Sequence, residues 1–297
     1  MLKVSQTLAI DHRRRYMPDM ATDSRDRQTG LRFRKMHGLG NDFVIIDQRN
    51  DPVALSEDLV RTIGDRHRGV GFDQLAEILP ASDANAQLIF WNADGSQAGA
   101  CGNATRCIAH MMMADGTEPV TLRTERGVLN CRRGPDGMVE VDMGVPLLRW
   151  DQIPLAREVD TVRLPLEGDP AACSMGNPHC TFFVEDAEAV DLSTLGPATE
   201  HDPLFPQRTN VQVVQVLAPD RARVRVWERG VGPTLASGSS SCAVVVNAAR
   251  RGLMDRSATL ILDGGEIRIS WGDDDHVRMA GPVSYVFDGV FDPSFAP

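Results

Sequence analysis

One internal repeat constrains this chain more than any other feature. The segment GLGNDF around Asn41 returns as SMGNPH around Asn177, 136 positions later. The same step carries Gln74 to Asn210, Asn92 to Glu228 and Cys101 to Ser237. Gly-Asn pairs are common in turns, but four polar positions held in one register without a gap mark two copies of a single unit. Two copies facing each other about a pseudo-twofold axis leave a cleft between them, where ligand pockets tend to lie.

A chain of 297 residues, 42% of them hydrophobic, has room for two such units with their own cores. From Leu31 onward, short runs rich in Val, Ile and Phe alternate with glycine turns: DFVIID, AQLIFWN, VTLRT, MVEVDM and RVRVWE. Two helical stretches interrupt them, GNATRCIAHMMMAD after Cys101 and GSSSCAVVVNAARRG after Ser237. The class is therefore α/β (α+β) with mostly short strands. Residues 1–31 are polar, arginine-rich and without periodicity, and are expected to form a disordered extension.

The net charge of -10 argues against a nucleic-acid partner, which would need clustered Lys and Arg. A small-molecule ligand fits better. No apolar run approaches the roughly 18 residues that span a bilayer, and no signal-peptide core opens the chain. A cytoplasmic location without a membrane partner is the expectation. The six cysteines form no CxxC pair or other zinc-like spacing, so no metal site is expected. Five of them read as small buried apolar residues. Cys101 is different.

In each half a glycine-rich turn leads into a helix whose first N–H groups lack an intrahelical partner. Such helix ends attract anions, and two of them facing one cleft could hold a carboxylate. Gly102 and Gly238 suit the close backbone approach. A cysteine at the positive end of a helix gains thiolate character, which makes Cys101 a candidate base. Reactive groups on opposite faces of a bound α-carbon can remove a proton on one side and deliver one on the other, which inverts the centre. Helix-end N–H groups would stabilise the charge that develops on the carboxylate. There is no pyridoxal-type lysine motif and no GxGxxG or GxxxxGK[ST] loop, so no organic cofactor is expected.

The blocks MHGLGNDFVIID, FDQL, NADGS with ACGNATRC, MGNPH, RTNV and ERGVGPT resemble, in order, those of the diaminopimelate epimerase family. The resemblance runs from about residue 33 to the C-terminus. It implies a pyridoxal-independent enzyme that converts LL-diaminopimelate to the meso form, for lysine and peptidoglycan synthesis. It also implies two pseudo-symmetric domains, each a curved, mostly antiparallel sheet around a central helix, with the active site in the cleft between them. The first domain would comprise residues 32–146 plus 282–297, and the second 147–281. A homodimer is the family expectation. Cys101 matches the first catalytic thiol, and His179 and Glu228 match the proton partners. Asn41, Gln74, Asn92, Asn177, Asn210, Glu228 and Arg229 match substrate-binding positions, while Gly102, Asn103, Gly238 and Ser239 match the helix ends that hold the reacting carboxylate. A guanidinium at Arg229 could fork onto a second carboxylate, which favours a dicarboxylic substrate.

Ser237 departs from the family. It occupies the position of the second catalytic cysteine, in ASGSSSCA, and a hydroxyl is a far weaker acid or base than a thiol unless a neighbour activates it. Cys242 lies five residues further along the helix and is read as core. An engineered replacement is one reading, although the neighbouring SGSSS also departs from the family and argues for a natural sequence. An epimerase in which Glu228 assists Ser237 is a second. A paralogous epimerase or dehydratase acting on another amino acid is a third, and an amino-acid binder without turnover a fourth. In the structurally related proline racemase superfamily, members with one cysteine replaced by serine or threonine include both epimerases and dehydratases. Phenazine-pathway isomerases share the architecture but use an acidic base, and Cys101 speaks against them.

Overall fold

The computed structural model describes residues 30–50, 52–99, 101–134, 136–292, 294 and 295. The expected extension over 1–31 lies outside these residues up to position 29. Its last two residues, Gly30 and Leu31, are placed, and the Leu31 carbonyl accepts a hydrogen bond from Phe291 N at 2.9 Å. Backbone pairing reaches that end of the segment.

The first half runs β1 (Arg32–Gly38), β2 (Asn41–Asp47), α1 (Glu57–Gly64), β3 (Gln74–Leu79), β4 (Ala86–Asn92), β5 (Gln97–Ala98), α2 (Gly102–Ala114), β6 (Val120–Thr124), β7 (Gly127–Arg133) and β8 (Val139–Asp142). The second half repeats this order as β9 (Ala171–Ser174), β10 (Pro178–Val184), α3 (Leu192–Glu200), β11 (Asn210–Ala218), β12 (Arg221–Glu228), β13 (Gly232–Thr234), α4 (Gly238–Arg250), β14 (Ser257–Leu262), β15 (Gly265–Trp271) and β16 (Val277–Gly281). A last strand, β17 (Ser284–Val290), returns to pair antiparallel with β1.

The repeat holds in the hydrogen-bond register. Phe43 faces Gln74 across parallel β2 and β3, and His179 faces Asn210 across parallel β10 and β11. A second parallel pair follows in each half, β4 with β6 and β12 with β14, and the other pairings are antiparallel. The halves join where β8 and β16 run antiparallel, Asp142 facing Arg278. Within each half the sheet curls around one helix. Ten of the thirteen residues of α2 are buried, and so are ten of the thirteen of α4. A helix buried on nearly every side lies inside a core rather than on its surface. Both helices share one continuous core, with Ile108, Met111 and Met112 from α2 and Val244, Val245 and Val246 from α4.

The two shorter helices, α1 and α3, are not among those read from the sequence. α1 is capped by Ser56, whose Oγ accepts from Leu59 N at 3.1 Å. α3 carries Pro197 and starts at Asp191, whose carboxylate accepts from Ser193 N. Among the described residues no helix is long and apolar enough to cross a membrane.

Candidate active site

The two central helices begin at matching residues, and their N-caps are Cys101 and Ser237. Thr105 Oγ1 donates to the Cys101 carbonyl at 2.8 Å, and Ser241 Oγ donates to the Ser237 carbonyl at the same distance. The backbone frames of the two turns are therefore copies, but the side chains are used differently. Cys101 Sγ accepts from Ala104 N at 3.4 Å and so caps its own helix. Ser237 makes no such bond, although serine is among the best capping residues. Its hydroxyl turns away and donates to Glu228 Oε2 at 3.1 Å.

Thr234 Oγ1 donates to the other oxygen of Glu228 at 2.7 Å. Burial pushes the Glu228 carboxyl above its usual range, while the bonds from Thr234 and Ser237 pull it back. A carboxylate that is reluctant to stay charged and already holds a hydroxyl proton can draw that proton away when the hydroxyl oxygen takes up another.

The thiolate character expected of Cys101 is not what its surroundings produce. Burial pushes the thiol up to about 12, the nearby Glu228 adds to this, and the Ala104 and Asn103 amides together with Arg106 only partly oppose it. Desolvation outweighs the partial charge of the helix end. Cys101 is therefore held as a protonated thiol, an acid rather than a base. The other five cysteines are buried, as read from the sequence.

Both N-caps open on one cavity of about 800 Å³ between the halves. Asn41, Gln74, Asn92, Gly102, Asn103, Asn177, Glu228, Gly238 and Ser239 line it with them. The amides are tied to one another: Gln74 Nε2 donates to Asn92 Oδ1 at 3.2 Å, Asn103 Nδ2 to Asn41 Oδ1 at 3.1 Å, and Asn41 Nδ2 to Asp73 Oδ2 at 2.9 Å. Bonds across the set fix the direction in which each amide presents its remaining polar atom.

Three expected site residues do not reach the cavity wall. His179 is fully buried, and both ring nitrogens are engaged. Gln212 Nε2 lies 3.1 Å from Nδ1, and an amide nitrogen can only donate, so the ring proton sits on Nε2, 3.0 Å from Asn177 Oδ1. Burial, reinforced by repulsion from Arg126 and Arg229, pulls the imidazole down to about 3, so it is neutral. Asn210 donates to the Pro178 carbonyl at 2.9 Å and accepts from Arg229 N at 3.0 Å, which pins the turn after β12. Arg229 itself donates to the Gln207 carbonyl at 3.0 Å. For His179 and Asn210 local hydrogen bonding takes up the group that the motif alone would leave free, whereas Arg229 stays exposed, its charge felt by His179 and by Arg126 of the cavity wall.

The cavity instead holds two arginines that the sequence reading missed. Arg66 is neutralised, with its guanidinium 2.8 Å from both Asp42 and Asp73. Arg126 has no carboxylate partner among the described residues. Its Nη1 donates to the Met175 carbonyl at 3.2 Å and to Asn177 Oδ1 at 3.4 Å. It lies on Gly176, where a Cβ would come within 3.0 Å of Nη1. The residue 136 positions after Arg126 is Leu262, so the repeat carried no signal for it.

A family model described as diaminopimelate epimerase matches residues 33–148 and 171–286, one stretch in each half. A diaminopimelate epimerase from Rhodospirillum centenum is 54% identical over 274 residues, covering 90% of this chain and 94% of its own length. One from Acidiphilium cryptum is 51% identical over 266 residues, covering 88% and 96%. Among solved structures, a predicted epimerase from Pseudomonas aeruginosa shares the fold with a TM-score of 0.64 at 17% identity, over 89% of this chain and all of that one.

Proposed function

Because the chain belongs to the diaminopimelate epimerase family, and so to the isomerases, we propose that it interconverts LL- and meso-diaminopimelate through Ser237 and Cys101 on opposite faces of the α-carbon. The observation that carries this reading is the Ser237 hydroxyl, turned off its own helix and onto Glu228 at 3.1 Å. That contact supplies the activating neighbour a serine needs in a position where the family uses a thiol.

The reaction moves one proton in and one out. A substrate whose α-hydrogen faces Ser237 gives it to the serine oxygen as the hydroxyl proton passes to Glu228 Oε2. The protonated Cys101 thiol delivers its own proton to the opposite face and is left as thiolate. The reverse reaction starts from that second state of the protein. The N–H groups of α2 and α4, left without intrahelical partners, receive the carboxylate charge that builds in between. With its Cys101 thiol held protonated by burial, the protein is set for the isomer whose α-hydrogen faces Ser237.

The distal end of the substrate carries a second carboxylate, and Arg126 is the lining cation without an acidic partner. Arg126→Met is expected to raise KM for diaminopimelate by about 10- to 100-fold, the worth of a hydrogen bond to a charged group, and to change kcat much less. Steady-state kinetics of Arg126→Met beside Arg229→Met checks this. A larger KM effect at Arg229 would return the carboxylate to the residue the motif named.

The reading as a whole is tested by proton NMR of each pure isomer in D₂O with the unaltered protein. Loss of the α-proton signal together with appearance of the other isomer is the expected result. Binding without exchange would make the protein an amino-acid binder, and loss of water from a hydroxylated analogue would make it a dehydratase.

A further inference from the structure

Arg106, one turn into α2, is fully buried. Its Nη1 lies 3.2 Å from Met279 Sδ, while Nε and Nη2 have no hydrogen-bond partner. Among the described residues no carboxylate pairs with it, and the titratable groups that feel its charge are the thiols of Cys101, Cys107 and Cys242. A buried charge without a partner is costly, and an apolar side chain of similar volume is often the more stable occupant. The repeat makes the same point, since 136 positions on the second half has Cys242. Packing alone does not call for a guanidinium.

The surroundings place the charge. Met279 fills the space between the first residues of the two central helices: a Cβ on Gly238 would lie 2.8 Å from its sulfur, and one on Gly102 2.9 Å from its methyl carbon. Gly38 and Gly281 make room for the guanidinium, where added Cβ atoms would lie 3.0 Å from Nη2 and 3.4 Å from Cζ. Arg106 is thus one methionine behind the point where the free N–H groups of α2 and α4 converge.

We propose that Arg106 is a positioning residue for the reaction, its uncompensated charge acting through Met279 and the two helix ends to stabilise the negative charge that grows on the bound carboxylate as the α-proton leaves. The proposal rests on the epimerase reading above. Removing the α-proton roughly doubles the charge on those oxygens, so a fixed cation in a medium of low dielectric attracts the transition state more than the bound substrate. A whole charge also adds to the roughly half charge of each helix end. The lone guanidinium is kept at a cost to stability because the reaction uses it.

Arg106→Met and Arg106→Lys test this, with kcat, KM and the thermal midpoint measured for each. Arg106→Met should fold with a midpoint no lower than that of the parent, lose about 10²- to 10³-fold in kcat and change KM only a few-fold, and Arg106→Lys should recover most of the loss. An Arg106→Met protein with parental kcat overturns the proposal. So does one that fails to fold while Arg106→Lys folds, since the charge would then be holding the structure. If the unaltered protein does not exchange the α-proton, the epimerase reading fails and this proposal with it; if it does exchange and Arg106→Met matches it, only this proposal fails.

Discussion

Replacing Ser237 by alanine will cut interconversion of the diaminopimelate isomers by about 10²- to 10⁴-fold, the usual worth of a positioned acid or base, yet leave hydrogen exchange in one isomer. The reason is that the two faces are served by separate groups. Without Ser237, the fraction of Cys101 that is ionised can still take and return the proton of the isomer whose α-hydrogen points at it, so in D₂O that isomer gains deuterium without inverting. The exchange is faster as pH rises, because burial holds the thiol protonated. Cys101→Ala should show the converse, with exchange confined to the other isomer and supported by Ser237 and Glu228, 3.1 Å apart. Separate NMR time courses from each pure isomer decide the matter. Exchange of the same isomer in both variants, or undiminished inversion in either, would end the assignment of one group to each face. Ser237→Cys should raise turnover above that of the parent, because a thiol needs less help to ionise than a hydroxyl.

Glu228→Gln is expected to lower turnover by about 10²- to 10⁴-fold and to make the protein more stable at neutral pH. The loss of activity follows because an amide cannot take the proton that Ser237 must release. The gain in stability follows from the direction of the carboxyl's shift. Burial, only partly offset by Thr234 and Ser237, raises the folded-state value above the ordinary 4.5, so the folded protein holds that proton more tightly than the unfolded chain does. Its contribution to stability is fully present below the unfolded value and is lost as pH rises through the folded one. The thermal midpoints of parent and variant should therefore converge in acid and separate as pH climbs past about 4.5, with the variant higher. A variant less stable than the parent at pH 7 would show that Glu228 is held by its hydrogen bonds more firmly than burial opposes it. In a Ser237→Cys background the activity cost should shrink, since the thiol can ionise with less help from the carboxylate.

Much of the architecture could be read before any coordinates. The two stretches named as helices are α2 and α4, and the offset between Cys101 and Ser237 is the offset between their first residues. Strands such as AQLIFWN and VTLRT appear with their full extents as β4 and β6. Periodic burial writes itself into sequence at a fixed spacing, which makes such elements legible. The helices α1 and α3 escaped because they are short and lie on the outside, where capping residues rather than a sustained apolar period define them. Arg126 escaped because its place on the cavity wall depends on a hairpin turn meeting Gly176 of the other half.

The sequence by itself determined the repeat, the class of fold, the family, and the two N-cap positions that face each other, because each of these rests on residue type at a constant interval. Only the tertiary structure decided what those residues experience. It turned the Ser237 hydroxyl onto Glu228, kept the Cys101 thiol protonated, buried His179 and Asn210 behind the cavity wall, and left Arg106 unpaired behind Met279. Desolvation and hydrogen-bond partnership are set by atoms far apart along the chain, and no local spacing encodes them.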